Sequence, residues 1–206
     1  MVKIVLASGS PRRQELLRRM GIADFYIRVP QVEERFPEGL TPEKTVCYIS
    51  REKSDAARLL CAPEELIITA DTMVFLDEAR LGKPKDEADA LRMLTALAGR
   101  RHTVCTGVTV RQGEKILTAA QHTDVYFRPA SEGELRAYIR TGEPMDKAGA
   151  YGVQGKGALL VERIEQGNDE GDSGQKSGKG KKKPADHFFQ LIGRRKESLH
   201  IYSLRY

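Results

Sequence analysis

The stretch "VKIVLASGSPRRQELL" at residues 2–17 passes from an apolar run through a polar turn into a helical pattern. The run "KIVLA" predicts a buried strand, because it is continuously apolar after its first residue. Ser10 and Pro11 match the start of a helix, with serine as the N-cap and proline at the first helical position. The chain therefore opens with a strand that leads directly into a helix, as in an α/β protein.

The turn between this strand and this helix concentrates groups that bind phosphate. Backbone N–H groups are free at the start of a helix, and the helix dipole adds a positive potential there. Ser8 and Ser10 add hydroxyl donors, and Arg12 and Arg13 add guanidinium groups that fit phosphate oxygens. The spacing of a P-loop is absent. The turn is therefore either a polyphosphate site or a capped helix with two solvated arginines.

The remaining pattern predicts a mixed α/β sheet. Helices are predicted over residues 41–60, 85–99 and 131–142, strands over 24–29, 65–76 and 158–164, and an antiparallel hairpin over 102–127. Because strands and helices intermix and a hairpin lies in the second half, a purely parallel sheet is not expected.

Composition and charge indicate a globular protein of one domain or two packed lobes, without a membrane span. No apolar run reaches the length of a transmembrane helix. The formal net charge is +5, of which +3 falls in residues 165–206, so the rest of the chain is nearly balanced and no nucleic-acid partner is expected. Cys47, Cys61 and Cys105 show no disulfide or metal-site spacing, which favours the cytoplasm.

The composition also predicts where the folded part of the chain ends. Residues 1–164 form the predicted domain. Residues 165–187 are rich in glycine and lysine and are predicted to be a disordered linker. Residues 188–206 are apolar enough to dock, and their structure is left unassigned.

Charged residues at three further places in the sequence are candidates for catalysis or binding. Asp71 in "TADTMV" interrupts the most apolar run and is expected at the end of a buried strand, where its carboxylate needs a metal, a cation or a proton. A turn or helix-capping aspartate is the alternative. Glu33 and Glu34, together with Asp71, supply the oxygen ligands that Mg²⁺ or Mn²⁺ prefers. Lys83 in "LGKPKD" either meets phosphate or faces water.

The stretch "GEPMDKAGAYGVQG" at residues 142–155 reads as a polar loop with little regular structure. Long irregular loops of this kind often carry function, although a flexible connector is the alternative. Gln154 offers both a donor and an acceptor, which suits it to the edge of a nucleobase.

Taken together, these motifs resemble the Maf family of nucleoside triphosphate pyrophosphatases. The matching segments are "LASGSPRRQELL", the "REK" of the second predicted helix, "ADTMV" followed by "LGKP", and "GEPMDKAGAYGVQG". They occur in the family's order and cover about residues 2–164. The resemblance implies hydrolysis of a nucleoside triphosphate to the monophosphate and pyrophosphate with a divalent cation. It also implies an elongated, twisted mixed sheet flanked by helices, with two lobes and a central cleft.

The resemblance also assigns roles to individual residues. Asp71 is implied to be the proton acceptor that activates water, or else a metal ligand, with Glu34 at the second acidic position. Arg13, Lys53 and Lys83 fall where the family places phosphate-binding cations, beside the hydroxyls of Ser8 and Ser10. Arg12, Thr72 and Gln154 fall at positions linked to base choice, and this set resembles the subgroup that acts on dTTP and UTP.

A second function class stays open at this point. The chain could be a non-catalytic regulator of cell division that binds nucleotide or nucleic acid. The balanced charge of the body argues against nucleic acid, and the presence of Asp71, Lys53 and Lys83 argues for catalysis. A nucleoside triphosphate is the expected partner, and a homodimer is left open.

Overall fold

The computed structural model describes residues 2–32 and 35–166, which form seven strands and four α-helices. The strands are β1 (Ile4–Leu6), β2 (Tyr26–Ile27), β3 (Leu66–Leu76), β4 (Ala79–Leu81), β5 (Arg101–Gln112), β6 (Lys115–Phe127) and β7 (Val161–Gln166). The helices are α1 (Pro11–Arg19), α2 (Pro42–Arg58), α3 (Glu87–Leu97) and α4 (Glu132–Ile139), and short 3₁₀ turns cover Glu143–Asp146, Ala148–Ala150 and Lys156–Leu160. Each strand and helix predicted from the sequence is present.

The strands form one mixed sheet in the order β2-β1-β3-β5-β6-β7, with β4 paired to β3. β1 is parallel to both β2 and β3, whereas the pairs β3–β4 and β6–β7 are antiparallel. β5 and β6 are joined through only Gly113 and Glu114, a connection that is short enough only for antiparallel strands. The predicted mixed α/β sheet is therefore confirmed.

Local sequence signals explain where three of the helices begin. The side chains of Thr41 and Asp86 each accept a hydrogen bond from the first turn of α2 and α3. Ser131 and Glu134 form the predicted capping box of α4, in which each side chain accepts a hydrogen bond from the backbone N–H of the other. These caps satisfy N–H groups that would otherwise lack partners at a helix start.

The described chain divides into two compact units, in agreement with the two predicted lobes. The first unit comprises residues up to 71 together with 106–120, and the second comprises 72–105 and 121–166. One apolar cluster of the first unit contains Leu6, Leu17, Ile22, Leu66, Ile68 and Val110. The main cluster of the second unit includes Val74, Leu94, Leu97, Val125, Phe127, Leu135 and Ile139.

Within the first unit, α2 packs directly against β5 at Gly107. A Cβ atom added to Gly107 would lie 2.4 Å from the carbonyl oxygen of Val46 and 2.8 Å from the backbone nitrogen of Cys47. Both are helix backbone atoms, so no side-chain rotation can relieve the overlap. The absence of a side chain at Gly107 therefore sets how closely the helix approaches the sheet.

We expect Gly107→Ala to destabilise the protein by about 1–3 kcal/mol, the range typical of overpacking a close contact. The urea midpoint measured by circular dichroism checks this value. Gly82→Ala is the matched control, because a Cβ atom added there meets nothing within 4 Å. A Gly107→Ala midpoint equal to that of the control would contradict the proposed close approach of α2.

The structure differs from the sequence-based prediction in three places. β2 covers only Tyr26–Ile27, because it is an edge strand whose single partner, β1, is itself short. β7 begins at Val161, three residues later than predicted, because Lys156–Leu160 forms a 3₁₀ turn, and it continues to Gln166 through its pairing with β6, so Glu165 and Gln166 belong to the sheet and not to the predicted linker. β4 was not predicted; it is a three-residue strand that folds back on β3.

Several predictions fall on parts of the chain outside the described residues. These are the linker beyond residue 166, the segment 188–206 and the metal ligand assigned to Glu34. Among the described helices, none has both the length and the apolar character that a membrane crossing requires.

Candidate active site

The turn after β1 is held together by the hydroxyl of Ser8. Its Oγ atom accepts hydrogen bonds from the backbone N–H of Ser10, at 3.3 Å, and from Nη1 of Arg13, at 3.1 Å. Ser8 is buried, and Arg13 is half-buried. This hydroxyl, predicted as a phosphate donor, therefore also orients the guanidinium group of Arg13 against the turn.

The N-terminus of α1 differs from those of the other described α-helices. Ser10 and Pro11 occupy the predicted positions, but the Ser10 side chain makes no capping hydrogen bond and the first turn contains no acidic residue. The other three α-helices in the described residues each carry a side-chain cap. With Arg12 exposed beside it, the start of α1 has the donors and the positive potential that an anion requires.

Asp71 lies inside β3, which continues for five residues beyond it, and forms an ion pair with Lys53 of α2. Nζ of Lys53 donates to Oδ1 of Asp71 at 2.6 Å, and the two side chains are only 18% and 8% exposed. The expectation of a carboxylate at the end of the strand is therefore wrong, and so is the alternative of a turn or capping aspartate. The strand can continue through Asp71 because the ammonium group compensates the buried charge.

The position of Lys53 follows from a cluster of buried hydroxyls that fixes α2 to the sheet. Oγ of Ser50 lies 2.8 Å from Oγ1 of Thr109 on β5, and Oγ1 of Thr69 donates to the carbonyl of Ser50 at 2.7 Å. Ser50 and Lys53 are one helical turn apart, and Thr69 and Asp71 share one face of β3. The same contacts that dock the helix therefore bring Lys53 to Asp71.

This hydroxyl cluster was not predicted, although the sequence carries a signal for it. Polar residues alternate with apolar ones at Thr69 and Asp71 in β3, and again at Thr109 and Arg111 in β5. Ser54 of α2 accepts a hydrogen bond from Nε of Arg111 at 3.0 Å. Two neighbouring strands with polar residues on one face indicate that the helix covering them is polar on its inner side.

The register of the sheet relates the turn after β1 to Asp71. Leu6 pairs with Ile68 in the parallel ladder, and the backbone N–H of Ala7 donates to the carbonyl of Ile68 at 2.8 Å. Asp71 lies three residues beyond Ile68, at the level where β1 has already become the turn. Asp71, and with it the Lys53–Asp71 ion pair, therefore lies on the strand that pairs with β1, which leads into the turn of Ser8 and Ser10.

The other predicted site residues belong to the second unit or lie outside the described chain. Thr72 follows Asp71 in β3 and is half-buried, Lys83 is exposed in the loop between β4 and α3, and Gln154 is exposed before the last 3₁₀ turn. The structure therefore gathers Ser8, Ser10, Arg12, Arg13, Lys53 and Asp71 in one unit, and places Thr72, Lys83 and Gln154 in the other.

The first unit contains one carboxylate of the kind that binds Mg²⁺. Among residues 2–32 and 35–166, no group of three or more His, Cys, Asp or Glu side chains is arranged to hold a metal. Mg²⁺ does not need such a cage, since it commonly binds one or two carboxylates together with substrate phosphates and water. Asp71 supplies one carboxylate of this kind in the same unit as the turn after β1.

A strand that leads into a helix start without a side-chain cap, together with a Lys–Asp ion pair in the same unit, is an arrangement suited to an enzyme that acts on a phosphorylated substrate. Comparison with known proteins identifies the family: the chain belongs to the Maf-like proteins, which match residues 3–170.

The similar proteins include three named dTTP/UTP pyrophosphatase. The protein from Vibrio cholerae is 47% identical over 79% of this chain and 87% of its own length. The proteins from Bacteroides thetaiotaomicron and Bacillus velezensis are 49% and 45% identical, over 74% and 79% of this chain and 79% and 85% of their own. A solved HAM1 protein from Coxiella burnetii is 17% identical, with a TM-score of 0.44 over 62% of this chain and 73% of that protein.

Proposed function

We propose that this protein is a nucleoside triphosphate pyrophosphatase that hydrolyses dTTP and UTP to the monophosphate and pyrophosphate. Its membership of the Maf-like family and its similarity to proteins named dTTP/UTP pyrophosphatase support the reaction and the substrates. The structural observation that carries the proposal is the buried ion pair of 2.6 Å between Lys53 and Asp71. It holds a carboxylate and an ammonium group together near a turn suited to phosphate.

The reaction requires an oriented water, neutralised phosphate oxygens and a stabilised leaving group. The oxygen of water attacks the α-phosphorus, the bond to the bridging oxygen of the β-phosphate breaks, and pyrophosphate leaves. Asp71 either accepts the proton of this water or holds a cation. Lys53, Arg13 and Lys83 neutralise the charge of the phosphate groups. The hydroxyls of Ser8 and Ser10 donate further hydrogen bonds to phosphate oxygens.

The cofactor we propose is Mg²⁺ or Mn²⁺, held by Asp71 and, from the family resemblance, by Glu34. The bound cation would supply charge neutralisation at the phosphate oxygens. Cys47, Cys61 and Cys105 are free thiols, which agrees with the cytoplasm as the proposed place of action. A homodimer stays a prediction, and sedimentation velocity of the full chain tests it.

Pyrophosphate release from dTTP, UTP, CTP and GTP, measured with Mg²⁺ or Mn²⁺, tests the proposed function. We expect dTTP and UTP to be hydrolysed fastest, with loss of activity on chelation and recovery when the metal is added back. The alternative, a non-catalytic regulator, predicts nucleotide binding without any product. Binding without hydrolysis under all of these conditions would therefore contradict the proposed enzyme.

Base choice is proposed to depend on Arg12, Thr72 and Gln154. The amide of Gln154 can accept from N3–H and donate to O4 of uracil or thymine. Cytosine presents the reverse pattern at these two atoms. A site built on such hydrogen bonds discriminates because a mismatched base leaves buried polar groups without partners.

We expect Gln154→Ala to reduce the preference for UTP over CTP by roughly 1–3 kcal/mol, the cost of a polar group that a bound, mismatched base covers and leaves without a partner. The ratio of kcat/KM for the two nucleotides measures this preference. Gln112→Ala is the matched control, because the Gln112 amide only donates to the carbonyl of Glu64 and has no predicted role in binding. A uniform drop for both nucleotides would show that Gln154 does not select the base.

A further inference from the structure

The carboxylate of Glu143 accepts hydrogen bonds from α4 and from the backbone that follows Gln154. Its Oε1 atom accepts hydrogen bonds from the hydroxyl of Tyr138, at 2.9 Å, and from the backbone N–H of Gly157, at 3.1 Å. Its Oε2 atom accepts a hydrogen bond from the backbone N–H of Lys156 at 2.8 Å. One side chain therefore joins the end of α4 to the chain on the far side of Gln154.

The backbone wraps closely around this carboxylate and the tyrosine that contacts it. A Cβ atom added to Gly155 would lie 2.5 Å from the carboxylate of Glu143, and one added to Gly157 would lie 2.6 Å from the hydroxyl of Tyr138. The backbone N–H of Gly152 also donates to this hydroxyl, at 3.3 Å. The two glycines are thus the positions at which the loop passes Glu143 and Tyr138.

Gln154 lies between the points that these contacts hold. Gly152 is bound two residues before it, and Lys156 and Gly157 are bound two and three residues after it, while the Gln154 side chain is exposed. The arrangement therefore holds the backbone on both sides of Gln154. Glu143 contacts the flank after Gln154 directly, and it is linked to the flank before Gln154 through the hydroxyl of Tyr138.

The hydrogen bonds to Glu143 favour its charged carboxylate over the neutral acid. Burial by itself opposes the carboxylate, but the hydrogen bonds from Lys156, Gly157 and Tyr138 outweigh burial and lower the pKa of Glu143 below its ordinary value. Nζ of Lys147 lies near the group, donating to the Glu143 carbonyl at 2.8 Å and to Asp146 at 2.6 Å. A charged acceptor makes stronger hydrogen bonds than a neutral one.

We propose that Glu143 is a positioning residue for base selection: it binds the backbone of Lys156 and Gly157 directly and that of Gly152 through Tyr138, and this clasp sets the orientation in which Gln154 meets the base. This inference rests on the proposed function and deepens it. Glu143 acts through the loop and through Gln154, with no contact to the nucleotide. The residues of the clasp are Glu143, Tyr138 and the backbone N–H groups of Gly152, Lys156 and Gly157.

The test compares Glu143→Gln with its double mutant in the Gln154→Ala background. An amide in place of the carboxylate has only one acceptor oxygen, so at least one of the loop N–H groups loses its partner. We expect the preference for UTP over CTP to fall by up to roughly tenfold, the upper effect of one lost hydrogen bond, with a smaller change in kcat for UTP. Because the clasp acts through Gln154, the double mutant should lose no more preference than Gln154→Ala alone.

Two further variants separate positioning from a general loss of stability. Tyr138→Phe removes only the hydroxyl of the clasp and should reduce the preference in the same direction. Glu132→Gln is the matched control, since this exposed α4 carboxylate pairs only with Arg136 one turn along the helix. Hydrogen exchange should show faster amide exchange at Lys156, at Gly157 or at both in Glu143→Gln, and no change in the control.

The outcomes distinguish the clasp from the function on which it rests. A parent protein that does not hydrolyse UTP overturns the proposed function. A parent that prefers UTP, and whose preference survives Glu143→Gln, overturns the clasp alone. Equal losses for UTP and CTP, additive losses in the double mutant, or unchanged exchange at Lys156 and Gly157 would also overturn it.

Discussion

Asp71→Asn abolishes turnover and leaves the protein folded, according to the mechanism proposed here. Asparagine has nearly the same shape as aspartate, but it neither accepts a proton nor carries the charge that binds a cation. Loss of a general base typically costs about 10²–10⁴-fold in rate. Asp71 is the carboxylate that pairs with Lys53 at 2.6 Å in the interior of β3, so its replacement removes the acidic partner of that pair.

Steady-state rates with UTP and Mg²⁺, measured beside the circular dichroism spectrum and thermal midpoint, check this prediction. Asp77→Asn is the matched control, because Asp77 is an exposed aspartate that pairs with Arg100 at the surface. The control should keep nearly full activity. An Asp71→Asn protein that retains most of its activity would remove Asp71 from the mechanism.

Lys53→Met is expected to have the second largest effect, on both activity and stability. The methionine keeps an apolar stem of similar length and removes the ammonium group from a carboxylate that is only 8% exposed. Breaking a buried pair by removing one partner costs about 3–5 kcal/mol, and the partial exposure of Lys53 places the expected loss at or below the lower end. Loss of a charge-stabilising donor typically lowers kcat by about 10²–10³-fold.

A double mutant separates these two contributions. In Lys53→Met combined with Asp71→Asn, neither charge remains, so most of the lost stability should return while activity stays absent. Lys44→Met, at an exposed position on the same helix, is the matched control and should change neither property. Additive stability losses in the double mutant would show that the two charges do not interact as the 2.6 Å distance indicates.

The parts of the fold that local chemistry determines could be predicted from the sequence. Thr41, Asp86 and Ser131 begin helices because their side chains satisfy N–H groups within the next three residues. Ser10 also begins a helix where predicted, but its side chain leaves the first turn uncapped. Whether Ser10 caps the helix depends on how the turn after β1 folds, and the residue types at this position do not indicate that.

The parts that the sequence did not predict depend on contacts between distant residues. Asp71 was expected at a strand end because an isolated charge interrupts a buried strand, and its partner Lys53 lies 18 residues away along the chain. Thr109 is farther still from Ser50, which it contacts. Predicting the candidate site required knowing which face of α2 meets the sheet.

The same limit applies to the segment around Gln154. Its glycines and polar residues read as an irregular loop, and the structure contains two short 3₁₀ turns between Glu143 and Ala150. The hydrogen bonds from Lys156 and Gly157 to Glu143 fix the backbone that follows these turns. A carboxylate that accepts bonds from backbone 13 and 14 residues later leaves no local signal in the sequence.

In the proposed reaction, this protein transfers a nucleotidyl group to water by attack at the α-phosphorus. Hydrolysis of UTP in ¹⁸O-labelled water, followed by mass spectrometry of both products, tests it most directly. We predict that the label appears in UMP and that the pyrophosphate is unlabelled. Label in the pyrophosphate, or release of UDP with labelled orthophosphate, would contradict attack at the α-phosphorus.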